Sequence, residues 1–512
     1  MRQVLRKGLK HIVVEEVPDP VVRPGHVIVA PAYSLISSGT ESASIHRGSV
    51  LETVAQKPSH LQTVWRAATQ IGLIRTLSEI SAKFGEYAVL GYSGAGIVIA
   101  KHPSVVDLEL GQRVAYGGEG TGHGERVLVG RNLVARVPDA VSLKQASFTT
   151  LGSIALNAVR IAKIELGDVV AVVGSGLVGQ LISQLIRSQG GRVVAVDLRE
   201  ERARLARDLG AERTAVGDTA ARAAVNELTA ARGADCVIVA AAAKSDGPCR
   251  QALDLVRDRG RIVIVGAVEL NFPWLEMYSK EVQLRMSRAY GPGSYDPAYE
   301  EDGHDYPLPY VRWTENRNME EFVRLVGDGR VRIDELVTHE FDLEDAAQAY
   351  DTILDPSTES LAVVLRYPTP AEPVGRYEPR TRVDVAQGPA SSRAGSKLGV
   401  ALVGAGNLAR WVHLPNLKKL SRVELRAICS SNGARGKSYA RRFGAHYCCS
   451  DYDAVLEDPS VDIVVIATRH QHHASQAIAA LKAGKHVFVE KPLALTAQEC
   501  RDVYQAALNS SA

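Results

Sequence analysis

Val169-Val170-Ala171-Val172-Val173 runs directly into Gly174-Ser175-Gly176-Leu177-Val178-Gly179, and a helix-like stretch continues to Ser188. An apolar strand, a G-x-G-x-x-G turn and a helix in that order make the phosphate-binding corner of a βαβ dinucleotide unit. The first glycine makes the tight turn, the second lets backbone approach a pyrophosphate, and the third lets helix pack on strand. The helix N-terminus offers free N–H groups and partial positive charge to the phosphates. The pattern recurs where Leu398–Val403 leads into Gly404-Ala405-Gly406-Asn407-Leu408-Ala409. A lone fingerprint is weak. Two, each set between strand and helix, predict an α/β chain with two dinucleotide-binding units.

Around the first fingerprint, strand candidates Val169–Val173, Arg192–Val196, Cys236–Ala240 and Arg261–Val265 alternate with helical runs near Leu177–Ser188, Glu201–Leu209, Ala220–Ala231 and Cys249–Val256. Such alternation predicts a parallel sheet covered on both faces. Residues 1–150 instead show short Val- and Gly-rich runs broken by turn residues, which read as a small β-barrel. The first dinucleotide domain is expected over 151–292, and 293–366 reads as a return to the barrel domain. A Pro-rich stretch over 367–396 has a linker's composition. The second βα series occupies 397–512, with strands at Leu398–Val403, Glu424–Cys429, Ile463–Ala467 and His486–Val489.

A net charge of +2 gives no electrostatic case for nucleic acid or membrane partners. No apolar run approaches the roughly 20 residues of a membrane span, and the start of the chain carries no signal-peptide pattern. Six scattered cysteines with no C-x-x-C spacing fit a reducing compartment, so a cytoplasmic enzyme is expected. The adjacent Cys448 and Cys449 read as buried, inert thiols.

Ser38-Gly39-Thr40-Glu41, Gly91-Tyr92-Ser93-Gly94-Ala95-Gly96, the 174–179 fingerprint with Asp197, and His339-Glu340-Phe341-Asp342-Leu343-Glu344-Asp345-Ala346 occur in order. Together they resemble the medium-chain dehydrogenase/reductase family, which implies a GroES-like barrel plus a Rossmann domain over roughly residues 1–366. Zinc members carry a Cys before the Gly-Thr pair and a later Gly-His-Glu. Ser38 and Gly91-Tyr92-Ser93 stand there instead, and a catalytic zinc needs three protein ligands. No zinc or other metal is therefore expected. Tyr92 and Glu41 lead the candidates for moving a proton, ahead of Ser38, His46 and Tyr290. Gly174, Ser175, Gly176, Leu177, Val178 and Gly179 would cradle the cofactor. Asp197 ends the second strand, where a carboxylate accepts from ribose hydroxyls and repels a 2′-phosphate, so NAD is expected.

The 404–409 fingerprint, Val464-Val465-Ile466-Ala467-Thr468, His473 and Ala483-Gly484-Lys485-His486-Val487-Phe488-Val489-Glu490-Lys491-Pro492 resemble the nucleotide-binding half of the Gfo/Idh/MocA family. The resemblance implies cofactor contacts from Gly404, Gly406, Asn407, Leu408, Thr468, His470, Glu490 and Lys491. Lys491 would face nicotinamide and substrate as the catalytic amine. The usual Thr-Pro-Asn is Thr468-Arg469-His470 here. With Cys429-Ser430-Ser431 and Arg435 after the second strand, NAD or NADP is expected, with a lean to NADP. His470, His472 and His473 read as helix-entry and ribose contacts rather than metal ligands. Residues 397–512 contain no counterpart of that family's substrate-binding domain, so the module is expected to bind a dinucleotide without holding a substrate alone.

The two resemblances in this order are similar to bi-domain oxidoreductases of polysaccharide and sugar modification. Met286–Gly293 and Arg312–Met319 look characteristic of that group, and their Arg, Tyr, Trp and Asn suit a polyhydroxylated substrate or else a surface contact loop. The resulting expectation is an NAD(P)-dependent, zinc-independent oxidoreductase acting on a sugar, nucleotide-sugar or cyclitol, as a homo-oligomer. A non-catalytic dinucleotide sensor or assembly subunit is the alternative from another class. A porphyrin or lipid alcohol dehydrogenase is a third reading.

Overall fold

A computed structural model describes residues 1–8, 11–37, 39, 41, 45, 87–368, 377–385 and 397–512. Ser38, Thr40, His46 and most of the Pro-rich stretch lie outside these residues.

The chain opens on β1 (Arg2–Lys7) and β2 (His11–Glu16), an antiparallel pair joined on the other edge of β1 by β4 (Tyr87–Val89). The long β3 (His26–Ile36) is the spine of a second sheet with β5 (Ser93–Lys101), β6 (Arg113–Gly117), β7 (Val127–Gly130) and β8 (Val134–Arg136). Two strands from far along the chain, β15 (Val337–Asp342) and β16 (Ala362–Arg366), complete that sheet, with β16 antiparallel to β3.

Between them lies a parallel sheet in the order β11-β10-β9-β12-β13-β14. Its strands are β9 (Val169–Val173), β10 (Arg192–Asp197), β11 (Arg213–Val216), β12 (Ala234–Val239), β13 (Val256–Ile264) and β14 (Gln283–Met286). Alternation along β9 builds both cores: Val170 and Val172 face one layer of helices, and Val169, Ala171 and Val173 the other. A strand buried on both faces must be apolar throughout, which is why the run 169–173 was readable. The order reverses between β9 and β12, and ligands bind in the crevice outside the strand ends at such a point.

The second module repeats the plan with β17 (Arg382–Asp384), β18 (Leu398–Val403), β19 (Val423–Cys429), β20 (Tyr447–Cys449), β21 (Ile463–Ile466) and β22 (His486–Val489), ordered β17-β20-β19-β18-β21-β22. Ala401 and Val403 enter one core, Val400 and Leu402 the other. β17 falls inside the stretch read as a linker over 367–396. It pairs antiparallel with β20, and its one apolar residue, Val383, is buried between two outward charges. Three residues of alternating character escape a reading based on Pro-rich composition.

The modules meet along a seam. Leu5 and Val17 bury against Ala434, and a Cβ on Gly433 would sit 2.9 Å from the Pro18 carbonyl. Lys437 donates to Glu15 at 2.7 Å, and Arg469 to Glu301 at 2.8 Å. Among the described residues no helix is long and apolar enough to cross a membrane.

Candidate functional site

At the end of β9 the chain turns through Gly174, whose φ of +96° belongs to the left-handed region that glycine tolerates. A Cβ there would meet the Ala241 backbone at 2.6 Å, and one on Gly179 would lie 1.9 Å from the Gly174 carbonyl. Gly176 faces open space, with the Arg202 guanidinium 4.0 Å from where its Cβ would stand. Leu177 and Val178 open the helix Leu177–Ser188, with Leu177 packed into the core. The two outer glycines are demanded by backbone packing, while the middle one keeps a cradle clear for a phosphate.

Asp197 ends β10 and reaches back to this loop. Its Oδ2 accepts from the Ser175 N–H at 2.7 Å and its Oδ1 from the Arg199 N–H at 3.0 Å. The carboxylate locks the glycine turn to the strand end, and each oxygen keeps a further lone pair for a ribose hydroxyl. The second fingerprint has the same form. Gly404 has φ +99° and a virtual Cβ 2.5 Å from the Ala467 carbonyl, while Gly406 faces open space beside exposed Asn407 and Leu408. Both cradles fit a dinucleotide.

The barrel candidates divide. Tyr92 is half-buried against the core of the first dinucleotide domain, and it lies near enough to Tyr290 to act on that phenol electrostatically. Tyr290 is buried with Val27, Val98 and Tyr116, and burial pushes its phenol far up, so it is a packing residue rather than a proton acceptor. Glu41 is buried too. It accepts from the Ser37 N–H at 3.0 Å and from the Tyr350 hydroxyl, and lies 3.6 Å from His123 Nε2. His123, unremarked in the sequence, is fully buried and hydrogen-bonded to Ser34 at 2.7 Å, which meets the Tyr367 hydroxyl at 2.8 Å. A Cβ on Gly91 would be 2.6 Å from the His123 ring, so this polar network lies directly beneath Gly91-Tyr92. No local sequence pattern links 34, 41, 123, 350 and 367; only barrel closure does.

Glu41 accepts from Ser37 and Tyr350, while His123 is held through Nδ1 and its buried Nε2 has no hydrogen-bond partner among the described residues. Among the described residues no three His, Cys, Asp or Glu side chains gather at ligand spacing.

The insert is also committed to itself. The Trp313 ring lies between the Arg160 and Arg312 guanidiniums, 3.3 and 3.8 Å from its centroid. Asn318 donates to the Tyr290 carbonyl at 2.9 Å, Asn157 to the carbonyls of Arg288 and Ala289, and Thr314 caps the helix Glu315–Gly327. Glu315 is fully buried with Ser294 on one oxygen, and burial raises its carboxyl to about 8. Side chains that suited a sugar in the sequence buttress the wall of the first module.

In the second module Thr468, His470, Glu490 and Lys491 gather at the carboxyl ends of β21 and β22. The Thr468 hydroxyl donates to Gln476 at 2.6 Å, and His470 is exposed. The two ring nitrogens of buried His473 face the Pro492 and Thr468 carbonyls at 2.7 and 3.1 Å, tying the two strand ends together. That occupies His473 fully and leaves no metal set with His470 and His472. The Lys491–Pro492 peptide is cis, and the Lys491 side chain is exposed at the crevice. Cys429, Cys448 and Cys449 are buried, and burial pushes the Cys448 thiol up to about 12.

A family model described as "Oxidoreductase family, NAD-binding Rossmann fold" (Gfo/Idh/MocA) matches residues 398–512, and one described as "Zinc-binding dehydrogenase" matches 178–301. The zinc-binding dehydrogenase match falls within the first module, and the Gfo/Idh/MocA match spans the second. The dehydrogenase module is similar to D-xylulose reductase A of Aspergillus oryzae, 29% identical over 43% of this chain and 56% of the reductase. The nucleotide-binding module is similar to levoglucosan dehydrogenase of Pseudarthrobacter phenanthrenivorans, 42% identical over 16% of this chain and 21% of that enzyme. This chain thus spans about half the length of the first relative and a fifth of the second. Alcohol dehydrogenase TADH from Thermus sp. ATN1 shares the fold, with a TM-score of 0.54 at 20% identity over 72% of this chain and all of that one.

Proposed function

We propose that this chain is an NAD(P)-dependent, zinc-independent oxidoreductase acting on an alcohol or carbonyl of a sugar-like substrate. The observation that carries it is the cleared glycine cradle at the switch point of each parallel sheet, at 174–179 and 404–409. Relatives of both modules are named for sugar, polyol or inositol chemistry, which supports a polyhydroxylated substrate.

A bound nicotinamide would supply hydride exchange at the substrate carbon. The protein's task is to bind, orient and manage the proton. In the dehydrogenase module Gly174, Ser175, Gly176, Leu177, Val178 and Gly179 hold the pyrophosphate, and Asp197 selects NAD through the ribose. Tyr92 handles the substrate oxygen, with Glu41 and His123 as the buried polar support beneath it. In the second module Gly404, Gly406, Asn407 and Leu408 hold the pyrophosphate of NAD or NADP, with Ser430, Ser431 and Arg435 leaving room for a 2′-phosphate. Thr468, His470 and Glu490 line the nicotinamide end, and Lys491 donates to the substrate oxygen.

The protein works in the cytoplasm as a homo-oligomer. Exposed Trp274, Leu275, Tyr278 and Met286 beside the open edge of β14 are the surface that suits a second copy. Turnover of polyols, sugars and nucleotide sugars by the purified chain, followed at the nicotinamide absorbance with and without a zinc chelator, tests the reading. Turnover abolished by chelation would remove zinc independence. Tight dinucleotide binding without turnover of any member would favour the sensor reading.

A further inference from the structure

Beside Lys491 stands a contact that no sequence motif announced. The imidazole of His413 donates from Nε2 to Glu490 Oε1 at 2.9 Å, and the Lys491 N–H donates to the other oxygen, Oε2, at 3.3 Å. Both side chains of the pair are largely buried, and the His413 ring is T-stacked on Phe488 with centroids 5.6 Å apart. The Glu490 backbone is fixed too, its N–H donating to the Ile466 carbonyl at 3.0 Å.

His413 reaches this place through a local distortion. Ala409–His413 is a π-turn, in which the Leu414 N–H donates five residues back to the Ala409 carbonyl. Pro415 explains it. Proline has no N–H to give the carbonyl four residues earlier, and its ring crowds that carbonyl, so the helix opens by one residue. One extra residue in the turn rotates the downstream side chains by about 100° around the axis. That rotation brings His413 onto the end of β22.

We propose that His413 is a positioning residue of the second dinucleotide site: it holds the Glu490 carboxylate away from the Lys491 ammonium, leaving that amine for a substrate oxygen. The claim rests on the reading of 397–512 as a dinucleotide site. A carboxylate next in sequence to a lysine is its nearest competitor for an ion pair, and pairing would quench the amine. Among the described residues the Lys491 ammonium has no ion-pair partner, while Glu490 is engaged on both oxygens by His413 and by backbone. Glu490 is thereby a structural clamp at the strand end, and Lys491 is kept available.

The test uses the full chain as wild type, His413→Leu and His413→Gln. The Lys491 amine is acylated with acetic anhydride at fixed pH, and its rate is read by peptide mass against that of exposed Lys482. Peptide-resolved hydrogen exchange with and without NADH reads 404–409 and 174–179 separately in the same samples. His413→Leu keeps the packing on Phe488 but frees Glu490 to pair with the ammonium, so Lys491 acylation slows by about threefold or more. His413→Gln keeps an N–H donor and restores the wild-type rate. A folded His413→Leu protein with wild-type Lys491 reactivity overturns the proposal. Should that variant fail to fold, Glu490→Gln decides: acylation within about twofold of wild type supports a carboxylate already held off the amine. A rise of about threefold or more would show the carboxylate on Lys491 in the native protein and overturn it. Absence of NADH protection at 404–409 in wild type would instead defeat the dinucleotide reading, while Lys491 reactivity still decides His413.

Discussion

Lys437 and Glu15 form an ion pair of 2.7 Å across the seam between the two modules, the lysine almost wholly buried and the carboxylate four-fifths so. Burial alone would raise the Glu15 carboxyl, yet Lys437, Tyr87 and Arg441 together hold it down to about 2. The pair therefore joins the N-terminal strands to the helix Gly433–Phe443 under all but strongly acidic conditions.

Glu15→Gln should loosen this seam. A hydrogen bond to a charged group is worth roughly 1.5–3 kcal/mol, and the substitution leaves the Lys437 ammonium buried with weaker acceptors. Calorimetry should show the second module unfolding earlier, as a separate transition. Because the native pKa is depressed, the stabilisation is present above the ordinary value of 4.5 and is lost as pH falls towards 2. Wild type and variant should converge at the acidic end. A difference that does not depend on pH in that window would count against the pair as its source.

Glu315 gives the opposite sign. Its carboxyl is raised from an ordinary 4.5 to about 8 by burial first and by Glu300 next. A raised acid contributes most below 4.5 and loses that contribution as pH rises to 8. Glu315→Gln removes the dependence, so the variant's melting temperature should gain on wild type steadily between those limits. Parallel curves across the window would place the titration elsewhere.

Asp197→Ala should weaken NAD binding at the dehydrogenase module more than NADP binding. Loss of one charge-assisted hydrogen bond predicts a shift of about tenfold or more in the NAD dissociation constant. The Ala variant also frees the Ser175 and Arg199 N–H groups, so Asp197→Asn serves as the control that can keep one acceptor in place. Equal losses for both dinucleotides would mean that the carboxylate serves the loop alone.

The sequence revealed those parts of the fold whose physical requirement is local. Val169–Val173, Leu177–Ser188, Leu398–Val403 and His486–Val489 coincide with their expected bounds, the first three because a buried strand or helix needs its apolar pattern in place. β11, β14 and β20 went unread: they are short, and Gln283–Met286 exposes three of its four residues at an open edge. Gly174, Gly179 and Gly404 were legible because backbone contacts under 3 Å exclude any side chain there. Glu41 was found, but not the burial that places it with Tyr350 and His123 from distant parts of the chain. His413 needed a π-turn to be seen, and it is the fold, not the sequence, that brings Arg160 from far along the chain onto the Trp313 ring.

Tyr92→Phe and Lys491→Ala, measured side by side, should assign the chemistry to a module. Removing a positioned proton donor costs about 10²–10⁴ in rate. Tyr92 lies at the barrel wall above the Glu41–His123 network, and Lys491 at the second crevice, so each substitution disables one site and spares the other cradle. If the dehydrogenase module turns over the substrate, Tyr92→Phe lowers kcat by that factor while Lys491→Ala leaves it near wild type. The reverse pattern moves the reaction to the second module. Dinucleotide binding, read by NADH fluorescence, should persist in both variants, because neither side chain forms a glycine cradle. A loss of binding in step with activity would show a cofactor contact rather than a proton-handling role. Full activity in both would remove Tyr92 and Lys491 from the reaction together.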